Sequence, residues 1–267
     1  MLALAFASSL AAPERLLWDI GVAGYALLLL KLWRAGLMRT YPFFSSYLAY
    51  SVARGAALHA FKYGTNAYAW AYFLSEPVFW LAYILVVLEL YSLVLRNYPG
   101  IASLGRWVLV AGLFASILIS GLSLQADLSN PGEKYPVILY FTVIGRGVIF
   151  SLVIFLLLIT GFLVSYPVPL SRNVIVHSMV WSLYFLSTTA GLLVRNITGH
   201  QVTADMNLGL LAASLACLVA WIVALSPAGE GRTIVLRHIW RPEQQQRLMD
   251  QLSAINSTLL RTARRLE

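Results

Sequence analysis

The chain has 267 residues, of which 60% are hydrophobic and 11% charged, with a formal net charge of +8. A soluble domain carries about 25% charged residues, so this composition excludes an ordinary polar skin and points to lipid as the solvent. A single cysteine, Cys217, excludes an intrachain disulfide and reads as a small buried apolar residue.

The first twelve residues, Met1–Ala12, are apolar but lack the basic start of a secretory signal. They read as an uncleaved segment skimming the membrane. A helical span needs about 20 apolar residues to cross about 30 Å of hydrocarbon. Apolar stretches predict seven such spans, at about 15–35, 42–60, 69–96, 102–124, 137–164, 172–194 and 205–226. A barrel would alternate in polarity over short segments. These stretches are continuously apolar, so the expected fold is all-α: a multi-pass seven-helix bundle over 1–226, followed by a basic tail over 227–267.

Basic residues orient the bundle. Lys31, Arg34, Arg39, Arg96, Arg106 and Arg172 fall in alternate connections, and seven more arginines follow in the tail. Arg15, Lys62, Lys134 and Arg195 are the four on the opposite side. The excess marks the cytoplasmic side, which gives an outside N-terminus and an inside C-terminus in a cytoplasmic or plasma membrane, the bacterial inner membrane if the source is prokaryotic. Placed this way, the positive charge reads as attraction to the lipid bilayer, not to nucleic acid.

Three inner connections carry the same pair, Tyr41-Pro42, Tyr98-Pro99 and Tyr166-Pro167. Proline cannot continue a helix but suits its first position, and tyrosine anchors at the interface. In the tail, Leu248, Leu252, Ile255, Leu259 and Leu266 recur at helical spacing. That pattern fits an amphipathic helix on the inner leaflet, a short coiled coil joining copies of the chain or a cytoplasmic partner, or a solvated tail.

Charges within spans are the candidates for function, because a buried charge costs about 3 kcal/mol on insertion scales. Arg54 in span 2, Glu76 in span 3 and Arg146 in span 5 fall at similar depth, which predicts one carboxylate between two guanidiniums. Tyr50 joins Arg54 on one helix face; Tyr72 and Trp80 join Glu76; Tyr184 faces inward from span 6. Two arginines against one glutamate leave positive charge that suits a carboxylate, a phosphate or a lipid headgroup. The bland alternative is a satisfied ion cluster that fixes helix register. Pro77 is expected to disturb its helix beside Glu76. Glu89 is expected to pair with Arg34 or Arg96.

No metal, cofactor or catalytic signature is present in the sequence. His59, His177 and His200 differ in depth or lie in loops, and zinc wants three or four convergent ligands. No lysine lies in the last span, which excludes a retinal Schiff base there. The topology resembles that of G-protein-coupled receptors, but Glu89-Leu90-Tyr91 lacks the arginine after the acid and span 7 has no Asn-Pro pair. The expected function is a receptor-like or sensor module that binds a small anionic or lipid-derived ligand among its helices. The alternative is a transporter or channel for a small anion. The third reading, a lipid-modifying enzyme, needs an acid–base pair such as Glu76 with His59.

Overall fold

The computed structural model describes residues 12–61, 65–96, 98–101, 103, 107, 110–112, 114–115, 118, 136–165, 169–198, 203–235 and 242–266. The expected N-terminal segment and the loop carrying His200 lie outside the described residues.

The described chain is helical apart from one short ribbon. Helix α1 runs Ala12–Arg34, with Glu14 in its first turn and Lys31 and Arg34 in its last, the arrangement the helix dipole favours. It stops at Gly36, whose φ of 70° is left-handed and suits glycine. A 3₁₀ turn, Leu37–Arg39, leads into α2, Pro42–Ala60, with Pro42 in its first turn as the Tyr-Pro pattern predicts. Helix α3, Asn66–Val94, is capped by the Thr65 hydroxyl, which accepts the Tyr68 N–H at 3.3 Å. The described positions between 99 and 118 are helical, and the first of them is Pro99. Helices α4, Pro136–Ser165, α5, Arg172–Thr198, and α6, Thr203–Ala224, follow.

Each of α1 to α6 packs on its neighbour in this order, and α6 returns to α1, so the described helices close into a ring. Small residues permit the close crossings. A Cβ on Gly24 would meet Leu218 at 2.4 Å, and one on Gly55 would meet Val22 at 2.6 Å. Four helical segments among the described residues are long and apolar enough to cross a membrane: Glu14–Arg34, Asn66–Val94, Arg172–Gly191 and Met206–Ala224. Their outer faces are apolar and bare, with Leu74 69% exposed, which lipid tolerates and water does not.

The chain then leaves the ring through α7, Pro227–Gly231, and a strand β2, Thr233–Val235, which pairs antiparallel with β1, Pro169–Ser171. The tail helix α8, Pro242–Leu266, lies against the 98–101 connection. Asn256 Oδ1 accepts the Gly100 N–H at 2.7 Å, the Tyr98 hydroxyl meets Met249 Sδ at 3.7 Å, and Leu252 is buried. The buried seam departs from the expected one at one position. Ile255 stands 47% exposed, while Asn256, a residue further on, turns inward.

Candidate functional site

The interior of the ring is filled by aromatic rings. Phe44 and Tyr47 of α2, Phe79 and Tyr83 of α3, Trp181, Tyr184 and Phe185 of α5, and Trp221 of α6 contact one another at centroid distances of 5.0–6.3 Å. Aromatic pairs of this kind add about 0.5–1.5 kcal/mol each beyond their burial. His177 is fully buried at one end of this column, 4.3 Å from the Phe44 ring and 5.9 Å from Trp221. Among the described residues neither of its ring nitrogens has a hydrogen-bond partner. No group of His, Cys, Asp and Glu among the described residues could hold a metal.

Above the other end of the column sits the expected charge pair. Arg54 Nη2 donates to Glu76 Oε1 at 2.7 Å. Arg54 Nε donates to Ser75 Oγ at 2.6 Å, and Nη2 also reaches the Tyr72 carbonyl at 3.4 Å. The guanidinium lies 4.4 Å from the Tyr72 ring centre and 4.6 Å from that of Phe79. Tyr72, Glu76 and Phe79 stand at i, i+4 and i+7, so one face of α3 presents ring, carboxylate and ring to a single cation from α2. The Tyr50 hydroxyl donates to the Ser75 carbonyl at 2.8 Å and fixes the same turn of α3. Pro77 does not interrupt the helix; side chains of α2 and Ser75 supply bonds to the Tyr72 and Ser75 carbonyls beside it.

Helix geometry shows where this pair is exposed. Leu74 and Leu81, 69% and 55% exposed, mark the outer face of α3. Tyr72, Glu76 and Tyr83 lie on the opposite face at about 100° per residue. Yet Tyr72 is 36% exposed, and the side chains of Arg54 and Glu76 are 13% and 23% exposed. These polar groups therefore lie on an inward face and remain partly accessible.

Of the expected site residues, Arg54, Glu76, Tyr50 and Tyr72 come together. Tyr184 joins indirectly, through a 2.9 Å hydroxyl contact with Tyr83, whose ring packs on Phe79. Trp80, one turn after Glu76, packs towards α4, where a Cβ on Gly145 would meet it at 2.8 Å. Arg146 follows Gly145 on α4, but its side chain lies outside the described residues. Ser75 and Phe79 complete the clamp. Their spacing from Glu76 was the signal that could have found them.

Two other expectations change. His59 stacks on Trp18 at 4.5 Å and contacts Asp19 Oδ1 at 3.0 Å, so it faces α1 and is not the partner of Glu76. Glu89 accepts the backbone N–H groups of Phe43 and Phe44, at 2.6 and 3.2 Å, in place of an arginine. Its carboxylate thus caps the N-terminus of a different helix.

A polar hub lies at that same end. The Tyr41 hydroxyl donates to Glu230, and Asn173, fully buried, donates to Glu230 at 2.9 Å and to the Ser226 carbonyl at 2.7 Å. Burial first, and the Glu230 carboxylate second, raise the Tyr41 hydroxyl above its ordinary pKa and keep it a donor. The hub joins α2, α5 and the start of the tail. No protein-family model, curated protein or solved structure matches the chain.

Proposed function

We propose that the chain is a seven-span membrane protein, N-terminus outside and C-terminus in the cytoplasm, acting as a receptor-like or sensor module. Its ligand is a small anionic or lipid-derived molecule, and the cluster of Arg54, Glu76, Tyr50 and Tyr72 is the binding site. Arg146 supplies the second cation of that layer in this reading. The observation that carries it is the accessible, inward-facing Arg54–Glu76 pair within the apolar helices.

The output runs down the aromatic column. An anion that draws Arg54 from Glu76 relaxes the cation's hold on Phe79, whose ring contacts Tyr47 and Tyr83. The contacts continue through Trp181 and His177 to Tyr41 and the Glu230 hub, from which the tail emerges. A transporter or channel would use the same charges. The unbroken helix through Pro77 favours the sensor, because transporters commonly place discontinuous helices at their sites.

Native mass spectrometry of the purified chain tests the reading. It predicts a co-purified molecule bearing a carboxylate or phosphate that is lost from Arg54→Ala. Proteoliposomes should show no anion flux. Retention of the same molecule by Arg54→Ala overturns the site, and Arg54-dependent flux overturns the sensor in favour of the transporter.

A further inference from the structure

We propose a second ligand site, at the C-terminal end of α1, that takes the phosphate and adjoining acyl chain of an anionic phospholipid. Leu27, Leu30, Lys31, Arg34 and Ala35 line a groove there of about 310 Å³. Spacings of three, four and seven residues from Leu27 place Leu30, Lys31 and Arg34 along one side of the helix. Read along the axis, the groove is apolar and exposed at Leu27 and Leu30, then cationic at Lys31 and Arg34. That order matches a lipid, whose hydrocarbon lies deeper than its phosphate. Trp33, exposed on a neighbouring face of the same turn, suits the depth of the headgroups.

The site is partly built in advance. Lys31 Nζ donates to the Ile222 carbonyl in the last turn of α6, so the ammonium is held at the groove with two N–H groups remaining. Arg34 is exposed, and its fork can take two phosphate oxygens. No carboxylate lines the groove. The apolar half distinguishes a lipid from free phosphate, which would gain nothing from Leu27 and Leu30. The site is separate from the Arg54 cluster and does not depend on it.

The test uses the full chain in neutral detergent, titrated with phosphatidylglycerol, phosphatidylcholine or inorganic phosphate and read by native mass spectrometry and thermal stability. The expected result is about fivefold more retained phosphatidylglycerol than phosphatidylcholine. Arg34→Gln removes that preference, and Arg39→Gln, an exposed cation outside the groove, keeps it. Both arginines are exposed, so neither change removes a core contact. Equal retention of the two lipids, or an unchanged preference in Arg34→Gln, overturns the proposal. Stabilisation by inorganic phosphate equal to that by phosphatidylglycerol overturns the lipid assignment. Loss of the preference in Arg54→Gln alone would place the lipid at the intramembrane pair and also overturn the groove.

Discussion

Glu89, near the end of α3, accepts the N–H of Phe43 at 2.6 Å, in the first turn of α2. With the second bond to Phe44, one buried carboxylate satisfies two of the donors that a helix start leaves open. Hydrogen bonds to a charged group contribute about 1.5–3 kcal/mol each. Glu89→Ala should therefore lower the stability of the detergent-solubilised protein by about 3 kcal/mol, and Glu89→Gln by less, because its amide oxygen still accepts. Arg34→Gln and Arg96→Gln should leave thermal stability unchanged. A loss from either arginine equal to that from Glu89→Ala would restore the ion pair read from the sequence.

Gly229 approaches Asn173 so closely that a Cβ would lie 2.1 Å from Oδ1. Asn173 is fully buried, donates to the Ser226 carbonyl and accepts the Ser226 N–H in the α6–α7 turn, so it cannot step aside. Gly229→Ala should cost about 1–3 kcal/mol, as overpacking does, and loosen the tail to protease. Gly231→Ala meets open space and should behave as the wild type under the same digestion.

The tail helix is held by Leu252, which is buried, and not by Ile255. Leu252→Ala should release α8 from the 98–101 connection, at a cost of about 2–5 kcal/mol, and expose it to limited proteolysis. Ile255→Ala should leave the digestion pattern as it was. Equal effects from the two would restore the original heptad reading.

Helix positions were legible from the apolar stretches, because a span's length is set by the bilayer and its end by proline, glycine or charge. Pro42 opens α2 where the Tyr-Pro pair placed it, and α1, α3, α4, α5 and α6 coincide with expected stretches to within a few residues. The Arg54–Glu76 pair was legible too, since two opposite charges at one level of an apolar bundle must find each other. The fate of Glu89 was not. Its choice between an arginine and a helix start depends on where the end of α3 meets α2, a tertiary fact without local signature. The Ile255 position was not legible because α8 packs on a turn whose Gly100 N–H takes its acceptor from Asn256.

The Arg54 clamp itself can be dissected by substitution. Tyr50→Phe removes one hydrogen bond to the Ser75 carbonyl and should cost about 1 kcal/mol. Glu76→Gln leaves Arg54 without its carboxylate and should lower stability, while raising affinity for an anion that no longer competes with Glu76. Thermal unfolding with and without an alkyl phosphate separates the two effects.

Thermal stabilisation by a graded series of amphiphilic anions, alkyl phosphates and fatty acids, measured side by side on the wild type and Arg54→Ala, tests the central claim most directly. At a hundredfold excess over Kd a bound anion stabilises the fold by about 2.7 kcal/mol. The account predicts saturable stabilisation of the wild type and none of Arg54→Ala. Equal stabilisation of both proteins would contradict it.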